Sequence, residues 1–198
     1  MKYKIKEGPI GIIFNTEVMN NYNKIFILLL QIRRAKYVLD TIKIDNRNNN
    51  KIIHRMLIIK YKYLHFINTI QTYIINTVLN MSFIDFINTI NNNNSTLSLD
   101  DLITIHNQYL NNIINNCLLH NKAYQIMDTI KKILNQSLQL RTYFDLIIPE
   151  LPPTNKMMSD VLKLENEYQG CVSFLITILK SAVTLKKLNT RTYLFYIN

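Results

Sequence analysis

The sequence predicts an all-α protein: a bundle of about six helices, several of them long and roughly antiparallel. Three observations predict it. The chain of 198 residues holds only 3 glycines and 4 prolines, too few for the many tight turns of an all-β fold. Hydrophobic residues make up 48% of it, enough to bury a substantial core. The apolar residues recur at steps of three and four, the spacing that gathers them on one face of a helix.

Residues 1–15 read as an extended opening segment, short and apolar, with Gly8, Pro9 and Gly11. Asn15-Thr16-Glu17 then has the chemistry of a helix start, a capping side chain followed by an early acid. The helix beyond carries Val18, Tyr22, Ile25, Leu29, Ile32 and Leu39 on one face and is expected to fade near Asp45. Asn46-Arg47-Asn48-Asn49-Asn50 read as a loop, because asparagine competes for its own backbone hydrogen bonds. A second long helix is predicted over 51–80, with Ile53, Met56, Tyr63, Ile67, Ile70, Ile74 and Val78 inward. Lys60 falls inside that stripe and is expected to snorkel to water.

Ser82 with Asp85 resembles a capping box and predicts a new, short helix bearing Phe83, Phe86, Ile87 and Ile90. Residues 91–94 form another polar loop. Ser98 with Asp101 repeats the capping signal, and the helix it opens shows Leu102, Ile105, His106, Tyr109, Ile113 and Cys117. A further helix over 122–144 shows Ile126, Ile130, Ile133 and Leu140. Residues 148–155 hold Pro149, Pro152 and Pro153 and break the chain most clearly. The last helix has the cleanest seam: Val161, Leu164, Tyr168, Cys171, Leu175, Ile178, Ala182 and Leu185. Gly170 lies on its polar side and weakens it. The helical domain is expected to span 16–189, with 190–198 as a tail in which Tyr193, Leu194, Phe195 and Tyr196 could dock.

Lys+Arg 23 against Asp+Glu 13 gives a net charge of +10, which favours acidic partners. A+T-rich coding produces the same excess of Ile, Asn, Lys and Tyr, so charge alone fixes no partner. Concentrated charge falls at Arg33-Arg34-Ala35-Lys36 and at 60–62. Nucleic-acid binding would need stacking platforms or a recognition helix beside these residues, and neither is evident. The two cysteines, Cys117 and Cys171, sit on apolar stripes and read as inert buried thiols of a reducing compartment. His54, His65, His106 and His120 have no ligand-like spacing, so no metal site or cofactor is expected. There is no glycine-rich phosphate loop, and Glu165 and Glu167 point to different helix faces. No enzyme is expected. The longest apolar run, 25–30, is far short of the roughly 20 residues a bilayer needs, so no membrane association is expected.

Five stretches carry a resemblance. Lys4-Ile5-Lys6-Glu7-Gly8-Pro9-Ile10 is similar to an opening of tyrosine, apolar residue, tryptophan, proline and apolar residue, with Lys4 and Gly8 standing where the pattern has tyrosine and tryptophan. Asn21-Tyr22-Asn23-Lys24-Ile25-Phe26, then Leu28-Leu29-Leu30 and Ile32-Arg33-Arg34, resembles a helix of pattern KYN-x-x-F-x-x-LL-x-x-RR. Arg55-Met56 followed by Phe66-Ile67-Asn68-Thr69-Ile70-Gln71-Thr72-Tyr73 resembles R-x-x-M with F-x-x-NLQYY. Leu99-Asp100-Asp101-Leu102 with His106-Asn107-Gln108-Tyr109-Leu110 resembles D-x-x-x-x-x-H-x-x-[FY]-L. Phe174-Leu175 with Leu179-Lys180-Ser181 is similar to a closing helix that packs the bundle. In this order they resemble the C-terminal domain of gamma-tubulin complex components, sometimes called a GRIP domain. The Arg33-Arg34 pair and the small size lean towards the fourth, smallest type.

The resemblance implies a non-enzymatic scaffold that holds one gamma-tubulin, works beside other components of the complex and templates microtubule nucleation. It implies a place in the cytoplasm and cytoskeleton, at a microtubule-organising centre or spindle pole. Gamma-tubulin is expected to be acidic, so partner contacts are assigned to Arg33, Arg34, Asn68, Gln71 and Tyr73, with Asn107. Pro9, Tyr22, His106, Tyr109 and Leu175 are assigned to structure. The family's N-terminal domain and the start of its C-terminal domain are expected upstream of residue 1, leaving this domain incomplete relative to the family. The alternatives are a scaffold or tethering subunit of another cytosolic complex and, third, a basic nucleic-acid-binding module.

Overall fold

Asn15 starts the first long helix as its residue type dictates. Its Oδ1 accepts the Val18 N–H at 2.9 Å and its carbonyl accepts the Met19 N–H at 3.0 Å. The computed structural model describes residues 9–43, 51–92, 97–147 and 154–184, with backbone alone for 9, 10 and 182–184. Every regular element among the described residues is helical: α1 (Pro9–Ile13), α2 (Thr16–Asp40), α3 (Lys51–Thr72), α4 (Met81–Asn92), α5 (Leu99–Asn116), α6 (Tyr124–Ile147) and α7 (Asn155–Thr184). A π-helical segment, Tyr73–Asn80, joins α3 to α4, and a 3₁₀ turn, Asn121–Ala123, precedes α6. The all-α expectation is met. The loop at 46–50, the three prolines of 148–155, Leu185 and the tail lie outside the described residues, as does the side chain of Ala182.

Three local expectations are corrected. Pro9–Ile13 is a short helix, not extended chain, since proline suits the first turn of a helix. The helix α2 stops at Asp40 rather than near Asp45; the Thr41 hydroxyl donates to the Val38 carbonyl at 2.8 Å, drawing the chain off its ladder. Ser82 and Asp85 start nothing. Thr72 and Met81, at either end of the π segment, both have right-handed helical backbone, so the chain passes into α4 without leaving the helix. No glycine or proline interrupts 73–81, so nothing stops the ladder, which there takes the wider π form.

The described residues fall into two compact units, drawn from Met1–Leu29 with Thr72–Tyr124 and from Leu30–Gln71 with Gln125–Asn198. In the first unit, Val18, Leu28, Tyr73, Ile74, Leu110 and Ile113 are buried. His106 lies among four rings, with Phe14 at 5.4 Å, Tyr22 at 5.9 Å, Phe86 at 6.2 Å and Tyr109 at 6.3 Å between centroids. The Tyr22 hydroxyl is hydrogen-bonded to His106 Nε2 at 2.9 Å. Burial holds the His106 pKa below its ordinary 6.5, because desolvation disfavours the imidazolium. Tyr22, His106 and Tyr109, assigned to structure from the sequence, thus pack into one aromatic cluster of this unit.

The capping box at α5 is complete. Ser98 Oγ accepts the Asp101 N–H at 3.2 Å and Asp101 Oδ2 accepts the Ser98 N–H at 3.0 Å. The Ser98 hydroxyl and backbone donors together hold the Asp101 carboxyl below the ordinary carboxylate range. At its other end α5 turns through Leu118, whose φ of 59° is left-handed, while the Leu119 N–H closes back onto the Ile114 carbonyl at 2.9 Å. A leucine there costs about 1–2 kcal/mol of backbone energy. Leu118 is only 6% exposed, and burying a leucine gains about 1.5–3 kcal/mol, which outweighs that cost.

The second unit is built on α3, α6 and α7, with Met56, Tyr63, Phe66, Ile133, Phe144 and Leu175 among its buried side chains. The predicted stripe of α3 is buried throughout, and so is that of α7 from Val161 to Leu175, with Ile178 half-buried. Lys60 does not snorkel. It is buried, and its Nζ donates to the Ile42 carbonyl just past α2 at 2.9 Å and stands over the Tyr61 ring; a free carbonyl beyond a helix end is a ready acceptor for a lysine. Both cysteines are free and buried, and burial pushes the Cys117 thiol up to about 12.

Gly170 is exposed in α7, and a Cβ added there meets nothing within 4 Å. Gly170→Ala is therefore expected to stabilise the chain by about 1 kcal/mol and raise Tm by about 2–4 °C. Thermal melting followed by circular dichroism at 222 nm checks it; a lower Tm would show that Cβ meets an obstacle.

Candidate partner-binding surface

On α2 the positions that face the core are settled by size and polarity. Ile32, Ala35 and Leu39 are each no more than 1% exposed. That register forces Leu30, Arg33, Arg34 and Tyr37 onto one outward face, since they are spaced i, i+3, i+4 and i+7. Leu30 is 50% exposed and Tyr37 67% exposed, and both arginines are exposed. No ion pair engages either arginine among the described residues. The result is a positively charged helix face with an apolar side chain at each end.

The other assigned contacts divide. Asn68 on α3 is exposed. Gln71 is half-buried, and its Oε1 is buried with no hydrogen-bond partner among the described residues. Asn107 on α5 is half-buried in the other unit. Tyr73 is not a surface contact: it is 4% exposed and its hydroxyl donates to the Asn116 carbonyl at 2.9 Å. Burial pushes its phenol up to about 12. Its large ring falls on the buried stripe of the π segment beside Ile74, where apolar burial outweighs exposure.

The basic patch expected at 60–62 is also corrected. Lys60 is spent on Ile42, and Lys62 donates to Glu165 Oε1 at 2.9 Å. Arg55 Nε donates to the same carboxylate, to Oε2 at 3.0 Å. Burial alone would raise the Glu165 pKa, but the hydrogen bonds and charges of Lys62 and Arg55 outweigh it, and the net shift is downward. The cluster ties α3 to α7 and leaves little free charge for a partner. Sequence reasoning missed it because the partners are 103 and 110 residues apart. The one local signal was that 165 lies beside 161, 164 and 168 on the buried seam. Leu30 and Tyr37 were missed too; their spacing around Arg33 and Arg34 was the available signal.

Among the described residues, no three or more His, Cys, Asp or Glu side chains gather as metal ligands. No helix among them is long and apolar enough to cross a membrane. The arrangement offers side-chain recognition by charge and apolar contact.

The whole chain, residues 1–198, matches the family model "Gamma tubulin complex component C-terminal". The chain belongs to this family. Among its relatives, gamma-tubulin complex component 5 of Mus musculus is 28% identical over 92% of this chain and 20% of its own length. Gamma-tubulin complex component 3 of Homo sapiens is 27% identical over 71% of this chain and 16% of its own length. Spindle pole body component 98 of Dictyostelium discoideum is 29% identical over 65% of this chain and 17% of its own length. The chain thus spans about a fifth, or less, of each relative. These relatives carry the numbers 5, 3 and 98 in their names, so they give the family and not the fourth type towards which size and Arg33-Arg34 leaned.

Proposed function

We propose that this chain is a gamma-tubulin-binding part of a gamma-tubulin complex component, a non-enzymatic scaffold for microtubule nucleation at a microtubule-organising centre or spindle pole. The match to the family over all 198 residues carries this reading. The relatives' names supply the complex and the spindle pole. The geometry supports it with an exposed Arg33-Arg34 face, in no ion pair among the described residues, on a helix whose opposite side is locked into the core.

Such a scaffold acts by position. Holding tubulin-like subunits side by side removes much of the translational and rotational entropy that forming a nucleus otherwise costs. Arg33 and Arg34 would steer an acidic partner and orient it, which raises the encounter rate. Other complex components act as partners in the same assembly.

Reversing both charges, Arg33→Glu with Arg34→Glu, is expected to weaken capture of purified gamma-tubulin by at least about tenfold, since facing like charges cost several kcal/mol. Exposed helix positions away from caps change stability by about 0.5 kcal/mol or less, so the melting curve should be unchanged. Equal capture by the variant and the parent removes these arginines from the interface.

A further inference from the structure

We infer that Leu30, Arg33, Arg34 and Tyr37 form a two-turn docking ridge for an acidic amphipathic helix of the partner. This rests on the gamma-tubulin-binding reading and names the kind of segment that α2 would grip.

The ridge cannot be a misplaced core face. Ile32, Ala35 and Leu39 fix the rotation of α2, and turning Leu30 and Tyr37 inward would expel all three. The four residues lie along about 10 Å of helix. Arginine and tyrosine are the residues that most often dominate binding energy at interfaces, while a half-exposed leucine supplies apolar area. Both guanidinium groups are free of ion pairs among the described residues, and Lys36 adds a further positive charge on the same two turns. A partner must therefore bring carboxylates, which a guanidinium can hold in paired hydrogen bonds.

The spacing selects the shape of the partner. Apolar groups seven residues apart, with charge between them, match the groove of another helix, whose side chains repeat at the same interval. A peptide adding by strand pairing would need an exposed sheet edge, and no strand occurs among the described residues. An acidic helix with leucines at heptad spacing would seat them against Leu30 and Tyr37 and place carboxylates over Arg33 and Arg34.

The test measures capture of purified gamma-tubulin by the full chain across a salt series. Leu30→Ala and Tyr37→Ala are each expected to weaken capture about 3–10-fold with the salt dependence unchanged. Arg33→Gln with Arg34→Gln should weaken it about tenfold at low salt and flatten the salt dependence. A synthetic amphipathic helical peptide bearing glutamates and heptad-spaced leucines should displace gamma-tubulin, and a scrambled peptide of equal charge should not. Loss of capture in the arginine variant alone, or equal displacement by the scrambled peptide, overturns the helical ridge while leaving the gamma-tubulin reading intact. Failure of the parent chain to capture gamma-tubulin overturns that reading and this inference together. Binding of arbitrary DNA in its place, through the same residues, would point to nucleic acid.

Discussion

Tyr63→Ala is expected to cost about 3–5 kcal/mol, the range for removing a large aromatic from a core. Tyr63 is fully buried, and its ring lies 4.5 Å from that of Tyr168. Its hydroxyl donates to Gln136 Oε1 at 3.3 Å, and Gln136 Nε2 donates to Glu167 Oε2 at 3.1 Å. A polar chain therefore runs from α3 through the buried Gln136 of α6 to the margin of α7. Tyr63→Ala removes the ring and leaves the Gln136 carbonyl unsatisfied, a second cost beyond the cavity. Tyr63→Phe keeps the ring and should cost only about 1–2 kcal/mol. Urea unfolding of both variants checks the difference; equal losses would show that the hydrogen bond, and not the packing, dominates.

Leu175→Ala should cost about 2–5 kcal/mol. Leu175 is 3% exposed and lies in the α7 seam with Cys171 one turn before it. Removing it opens a cavity that neighbours on other helices can fill only by moving. The range is wide because the penalty depends on how far they collapse. A denaturation midpoint equal to the parent's would mean that α7 does not pack against the unit. The exposed neighbour Phe174, 41% accessible, is the control: its truncation should cost much less.

The legible parts of the fold were those written in adjacent residues. Asn15 and Ser98 cap helices because a short polar side chain just ahead of an apolar stripe has one good use there. The stripes of α3 and α7 are buried because three- and four-residue steps leave one way to hide Met56, Tyr63, Leu164 and Leu175 together. Ser82-x-x-Asp85 misled because a capping signal requires that the preceding chain leave the helix, and 73–81 contains nothing to make it leave. Lys60 misled because the carbonyl that draws it inward belongs to Ile42, 18 residues earlier. The arginine pair on α2 was visible as charge. That Leu30 and Tyr37 share its face followed from spacing alone; that this face points outward, and that Tyr73 does not reach the surface, depended on which side of each helix is covered.

The turn at Leu118 has a consequence for how this region comes together. The residue's own backbone preference opposes the left-handed conformation, and only the shelter given to its side chain reverses the balance. Local sequence thus supplies no hinge at this point, unlike a glycine-terminated helix. An excised fragment spanning the bend keeps the local hydrogen bonds of the turn but lacks the surfaces that shelter the leucine.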